Sequence, residues 1–311
     1  MANDVFSMRS RREGGTPKLN YWGADSETGT LRDVLVGPVD NLTRILPTNS
    51  MNRKLINAGI QLDISRARAQ YQGVLDCFED AGVKVHITPA DPDLPLQLWA
   101  RDGSFMTPWG MLIGRMAQWW RTGEYGPVMD FCYQNDLPIF EKVTAGYYEG
   151  GDFMMIKPGY LLLGYSNERS QAQGAEQIKR WFEAEGWQVC LYEFDPYFVH
   201  ADCTIAMLND NTVALCRDVV NREVQDWFCE LNIEVVDVPF GYIGQLGINV
   251  VSLGQDRVLL PKQSSFLADR CRGLGFKVYD PDVSAITMVG GGIHCLCQPL
   301  RRDSLEANSN G

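Results

Sequence analysis

The residues best able to do chemistry stand in four short motifs spread along the chain. They are Trp99-Ala100-Arg101-Asp102, Glu149-Gly150-Gly151-Asp152, His200-Ala201-Asp202 and Gly290-Gly291-Gly292-Ile293-His294-Cys295. Together they supply four acids, two histidines and a thiol. Clustered carboxylates repel one another and tend to protonate unless a cation sits among them. Two kinds of cation meet that need. One is a metal such as Mn²⁺ or Fe²⁺, held by carboxylates and histidine, although no spacing of paired histidines is present. The other is a guanidinium, which is planar and pairs bidentately with carboxylates. Its delocalised charge makes the central carbon a poor electrophile. Carboxylates that keep it fully protonated leave that carbon open to attack, and a thiolate is nucleophilic enough to add there. A histidine then has to protonate the departing amine and later activate water.

Taken alone, each residue has a plainer reading. Asp102 could cap a turn, Cys295 could be a small buried hydrophobe, and a lone histidine is commonly structural. The chemistry needs elements that bring the four motifs to one place, and a repeat does so. Ser104–Met116, Asp152–Tyr165, Cys203–Cys216 and Asn249–Lys262 each place a turn cluster between two apolar runs, the hairpin signal. Helical stretches follow, at about Tyr125–Asn135, Gln171–Glu185, Arg222–Leu231 and Ser264–Leu274. Short strands come next, at Ile139–Val143, Gln188–Glu193, Ile233–Val238 and Lys277–Asp280. Near the N-terminus a strand over Leu31–Pro38, a helix over Ile64–Ala81 and a strand over Val83–Thr88 are predicted, with a loop from Asn41 to Ile60. The last strand, His294–Pro299, has no hairpin mate, and neither has Leu31–Pro38. Pairing them closes five hairpin–helix–strand units into a ring. A period of this size belongs to radial arrays, and the helix in each unit predicts a pseudo-fivefold α/β propeller rather than an all-strand one. Equivalent junctions then share one end of the central axis, so the motifs would face one pocket. The loops Asn41–Asn52 and Phe240–Ile248 are expected to line it.

The chain has 311 residues, 45% hydrophobic and 22% charged, with a net charge of -11. These values suit a globular chain. The acidic balance and the lack of a basic stripe argue against nucleic acid as partner and are compatible with a cationic substrate. Nine scattered cysteines without a CxxC suggest neither a zinc site nor a disulfide framework. No run approaches the ~18 apolar residues of a membrane span. Residues 1–15 lack the apolar core of a secretory signal, and a reducing cytoplasm is the expected compartment. Residues 1–30 are expected to form a flexible arm, 31–302 a single catalytic domain and 303–311 a tail. The sequence is compatible with a homo-oligomer.

With these four motifs in this order, and hairpins after the first three, the chain resembles the guanidino-group-modifying enzymes over residues 30–302. That superfamily includes arginine deiminase, dimethylarginine dimethylaminohydrolase, agmatine deiminase and the amidinotransferases. The resemblance implies a five-bladed α/β propeller, the pentein fold, with a central active site. It makes Cys295 the nucleophile and His200 the general acid and base. Asp102 and Asp202 become the guanidinium-binding carboxylates, with Asp152 a supporting acid on the substrate side. Glu149 becomes the acid that orients the histidine or contacts the guanidinium. The stretch Ser166–Ser170 resembles one whose arginine binds the substrate α-carboxylate in arginine deiminases, which points to Arg169. Arg115 and Arg121 follow the first hairpin, where that family also places carboxylate-binding arginines.

Within the superfamily, EGGD favours hydrolases, and Asp202 favours an unmethylated guanidinium. His294 before Cys295 is similar to agmatine deiminases and amidinotransferases, whereas Arg169 as a ligand argues for an amino acid. The expected activity is hydrolysis of arginine or an arginine derivative through a covalent thiouronium intermediate. It would yield a citrulline-type product and ammonia or an amine, with no metal or organic cofactor. Amidino transfer to an amine acceptor and direct conversion of arginine to ornithine are alternatives on the same scaffold. A non-catalytic guanidine-binding protein would not need Cys295 and His200 together.

Overall fold

A computed structural model describes residues 16–244 and 246–305. Its strands form five three-stranded sheets, in the orders β15-β1-β2, β3-β4-β5, β6-β7-β8, β9-β10-β11 and β12-β13-β14. The strands are β1 Leu31–Val36, β2 Lys84–Ile87, β3 Ser104–Thr107, β4 Gly110–Ile113, β5 Ile139–Lys142, β6 Phe153–Lys157, β7 Tyr160–Tyr165 and β8 Gln188–Glu193. The rest are β9 Ile205–Asn209, β10 Thr212–Leu215, β11 Glu234–Asp237, β12 Val251–Ser252, β13 Arg257–Leu259, β14 Lys277–Tyr279 and β15 Cys297–Arg302. In every sheet the central strand pairs antiparallel with one neighbour and parallel with the other. The parallel pairing requires a crossover, which the helices α2 Ile64–Asp80, α3 Tyr125–Gln134, α4 Ala172–Ala184, α5 Arg222–Glu230 and α6 Ser265–Gly273 provide. The architecture is a five-bladed pseudo-symmetric α/β propeller.

The inner strands are buried on both faces, as in Leu161–Leu163 and Ile205–Leu208, so they read as continuous apolar runs rather than alternations. One face of each helix packs against its blade. In α2 the buried residues Ala67, Tyr71, Val74 and Phe78 recur at helical spacing. The expected closure between the two mateless strands is present. β1 runs antiparallel to β15, with Val36 opposite Cys297 and Leu31 opposite Arg302.

Three expectations change. The stretch 41–60 is not all loop, because α1 spans Ser50–Asn57, capped where the Asn49 side chain accepts from Asn52 N–H at 2.9 Å. His294 and Cys295 do not lie on the last strand; they sit on the helical turn Ile293–Leu296, and β15 starts only at Cys297. Residues 1–15 of the expected arm lie outside the described residues, while residues 24–30 are buried. Polar groups there find internal partners. Gly23 N–H donates to Leu300 O, and the Glu27 carboxylate meets Arg101. Among the described residues, no helix is long and apolar enough to cross a membrane.

Candidate active site

The blade junctions converge as the repeat requires. Asp102 precedes β3, Glu149 precedes and Asp152 ends the turn Gly150–Asp152 before β6, and His200 precedes the turn Ala201–Cys203, which holds Asp202, before β9. All five side chains are buried. Two of the junctions touch directly. His200 Nε2 lies 2.9 Å from Glu149 Oε2, and its Nδ1 lies 3.8 Å from Asp102 Oδ1. A β-carbon on Gly151 would come within 2.7 Å of the His200 ring, so glycine there is a condition of this contact.

Cys295 reaches the same place from the closing seam. Its Sγ is 3.8 Å from Asp202 Oδ2 and 3.4 Å from Asn249 Nδ2. The glycines before it are required by close packing. Gly290 has φ +106°, a region L side chains rarely adopt. A β-carbon on Gly291 would sit 2.6 Å from the Trp99 ring, and one on Gly292 would collide with Asn249 Oδ1. Gly292→Ala is therefore expected to displace the helical turn carrying Cys295. A loss of about 10²-fold in kcat is anticipated, with the far-UV circular dichroism unchanged; steady-state kinetics on the variant check it.

Thiol and histidine form the floor of a cavity of about 340 Å³. Its walls include Met51, Leu55, Tyr197, Phe198, Ile243 and Leu246. The 41–52 and 240–248 loops thus contribute as expected, and α1 adds to them. A smaller extension of about 30 Å³ runs inward past Trp99, Asp102, Arg121 and Arg169. Val199, on the wall beside His200, holds φ +66°, a strained conformation for a β-branched residue and one that clusters at functional sites.

The electrostatics separate the acids. Glu149 is fully buried, which alone would raise its pKa. The His200 hydrogen bond and the Arg169 charge more than offset burial and bring it down to about 2. Asp202 is likewise pushed up by burial but ends below its ordinary value, chiefly through its hydrogen bond with His294. Asp152 is raised to about 7, because burial dominates. Burial opposes charge on His200 as well, yet Asp102, Asp152 and Glu149 lift it to about 10. Burial, with Asp202 and Asp102 nearby, pushes the Cys295 thiol well above its usual range. At neutral pH the site therefore holds a thiol and an imidazolium. One acceptor stands out. Asp102 Oδ2 takes Arg121 Nη1–H at 2.7 Å, but Asp102 Oδ1 is buried without a hydrogen-bond partner. Such an atom costs free energy until a donor arrives.

Four sequence-derived placements differ. Asp152 faces away from the cavity; its Oδ1 accepts from Ala201 N–H at 2.7 Å and braces the turn between His200 and Asp202. Arg121 and Arg169 are not at the outer chamber. Arg121 is clamped by Glu124 and Asp102, while Arg169 bridges Glu149 Oε2 and Thr48 O. Buried carboxylates need these counter-charges. Arg115 is exposed, donates to Thr144 O and lies over the Tyr147 ring. Sequence reasoning missed Asn249, which donates to Cys295 Sγ and accepts from His294 N–H at 2.9 Å. A signal for it existed, because Asn249 opens the fourth hairpin, at the junction equivalent to Asp102 and Asp202.

Asp102, Glu149 and His200 also lie close enough together to share a metal ion. The donor set fits one poorly. Both Glu149 oxygens are taken, by Ala117 N–H, His200 and Arg169, and two guanidinium groups already neutralise the cluster. A dication would sit against Arg121 and Arg169, whereas a flat monocation can donate to Asp102 Oδ1. Turnover is expected to be unchanged after dialysis against EDTA, and an activity that falls and returns with Mn²⁺ would overturn the cation assignment.

A five-bladed α/β propeller with a thiol, an imidazole and carboxylates at its centre defines a guanidino-group-modifying enzyme, either hydrolase or amidinotransferase. A family model described as arginine deiminase matches residues 80–238, just over half of the chain, and the chain belongs to this family. It is 21% identical to YkgA of Bacillus subtilis over 277 residues, covering 89% of this chain and 94% of that protein. It is 25% identical to the N(G),N(G)-dimethylarginine dimethylaminohydrolase of Mycobacterium tuberculosis, covering 75% and 76%. Among solved structures, SxtG, an amidinotransferase from Microseira wollei in the saxitoxin biosynthetic pathway, superposes with a TM-score of 0.75 at 16% identity. That match covers 91% of this chain and 98% of SxtG.

Proposed function

We propose that this chain is a cysteine-dependent hydrolase of a guanidino substrate, arginine or an arginine derivative, with its catalytic unit in residues 24–302. The observation that carries this reading is the meeting of Cys295, His200 and Asp102 Oδ1, which lacks a hydrogen-bond partner, in one cavity. The guanidinium docks between Asp102 and Asp202, donating N–H groups to their oxygens. Its positive charge favours the thiolate, and the Cys295 thiol proton passes to solvent. Sulfur bonds to the guanidinium carbon, and the C–N bond to the departing nitrogen breaks as that nitrogen takes a proton from His200. This leaves a thiouronium on Cys295. Neutral His200 then accepts a proton from water as oxygen bonds to the same carbon. The C–S bond breaks as the hydroxyl proton of the adduct passes to sulfur, so the ureido product leaves and the thiol and the His200 imidazolium are both restored. Glu149 holds His200 by its Nε2, so Nδ1 is the nitrogen left for proton transfer.

A substrate panel tests the proposal. Arginine, methylarginines, agmatine and guanidino acids are incubated with enzyme, and ammonia, methylamine and ureido products are measured. A ureido product formed without any amine acceptor is expected. Turnover that occurs only with an added amine, releasing ornithine from arginine, would replace hydrolysis by amidino transfer.

A further inference from the structure

Behind Asp202, on the side away from the cavity, lies a buried chain of polar groups that the reaction above does not use. His294 Nδ1 is 2.7 Å from Asp202 Oδ2, and His294 Nε2 is 2.6 Å from Arg101 Nη2. Arg101, only 2% exposed, continues to Glu27 Oε2 at 3.4 Å. Glu27 comes from the segment 24–30 and Arg101 from the motif that carries Asp102. The neighbouring residues side by side in sequence thus serve opposite faces of the site. Arg302 and Cys297 are the remaining titratable groups at this end. Burial raises the Glu27 carboxyl, but the surrounding groups together, Arg101 first, more than offset it and hold it well below the ordinary range.

The chemistry of these groups dictates where the protons go. A guanidinium has donors only, so His294 Nε2 accepts from Arg101 at 2.6 Å, while Glu27 Oε2, at 3.8 Å, is too far for Nε2 to donate to it instead. The imidazole proton then sits on Nδ1 and is donated to Asp202 Oδ2. In this arrangement His294 carries no net charge, Glu27 balances Arg101, and Asp202 keeps a full negative charge. The opposite tautomer would set an unprotonated Nδ1 against Asp202 Oδ2. A protonated ring would cancel the charge of Asp202 and weaken its hold on a guanidinium.

We infer that Glu27, Arg101 and His294 form a positioning relay that fixes Asp202 as an oriented anion for the substrate guanidinium. The inference rests on the proposed guanidine chemistry for its purpose but not for its geometry. None of the three touches substrate, so all are positioning residues. Arg101 anchors Cys295 as well, since its backbone N–H donates to Cys295 O at 3.2 Å. The relay thereby ties one substrate ligand and the nucleophile to one buried arginine.

The test begins with the unaltered protein. The chain has only three histidines, His86, His200 and His294, so ¹⁵N-histidine labelling gives an assignable spectrum. At pH 7 the His294 Nδ1 resonance is expected in the protonated range and Nε2 in the unprotonated range. An Nε2–H tautomer would overturn the inference without any variant. Next, binding of methylguanidine is titrated in Cys295→Ala and in Cys295→Ala/His294→Phe. The second is expected to bind about tenfold more weakly, the loss of one charge-assisted hydrogen bond. His294→Asn, which keeps a donor toward Asp202, is expected to restore part of that loss. Equal affinity in all three proteins, with melting temperatures alike, would show the relay to be structural only. Failure of the hydrolase reading has a separate signature, namely turnover that survives Cys295→Ala, and it would leave the tautomer result standing.

Discussion

Cys295→Ala is expected to abolish turnover while leaving methylguanidine binding measurable. The proposed route runs through a carbon–sulfur bond, and no other described cysteine shares the floor of the cavity with the His200 imidazole and Asp102 within reach. Cys203 also borders the outer chamber, but its thiol faces Asp202 Oδ1 at 3.5 Å, and burial raises its pKa well above the usual thiol range. The Cys295 thiol starts protonated, since burial and two carboxylates raise its pKa. His200 starts as imidazolium, with a pKa of about 10. The reactive form needs the thiol proton removed while the imidazolium proton stays. Below pH 10 that form is one proton short of the prevailing one. So kcat/KM is expected to climb about tenfold per pH unit between pH 6 and 9. Mass spectrometry of acid-quenched wild type should show a mass increment on the Cys295 peptide. Full activity in Cys295→Ala, or a flat pH profile, would refute the assignment.

His200→Gln is expected to lower kcat by about 10²–10⁴, the usual contribution of a positioned acid–base group, and to leave KM within a few-fold. The amide can still donate to Glu149 Oε2, which otherwise keeps Arg169 as partner, so the buried carboxylate is not orphaned. Both chemical steps lose their proton carrier. Departure of the amine slows, and so does attack by water. Because Cys295 and His200 act as one unit, the double variant should be no worse than Cys295→Ala alone. Single-turnover kinetics separate the steps, and a His200→Gln enzyme within fivefold of wild type would remove the histidine from the mechanism.

The order of the blades was legible because each unit repeats one pattern: two apolar runs about a turn, a helix, a short strand. The closing pair β1 and β15 followed from two strands left without mates. The short α1 was missed because the polar stretch Ser50–Asn57 depends on a single cap, Asn49, and on the cavity wall it completes. The helical turn under Cys295 was hidden because three glycines carry no helix signal. Their requirement comes from Trp99, Asn249 and the Asn49–Asn52 segment, all distant in sequence.

Residue types and their spacing determined by themselves that Asp102, Glu149, His200, Asp202 and Cys295 share one end of a five-unit array, because equivalent positions in a repeat must be equivalent in space. Partnerships were decided only by tertiary structure. Asp152 turned out to brace a turn, Arg121 and Arg169 to neutralise buried acids, and Arg101 to reach back to His294 and Glu27. The physical reason is that a buried charge takes whichever counter-charge the packed chain brings within about 3 Å. That distance is set by contacts between blades, which no local pattern encodes.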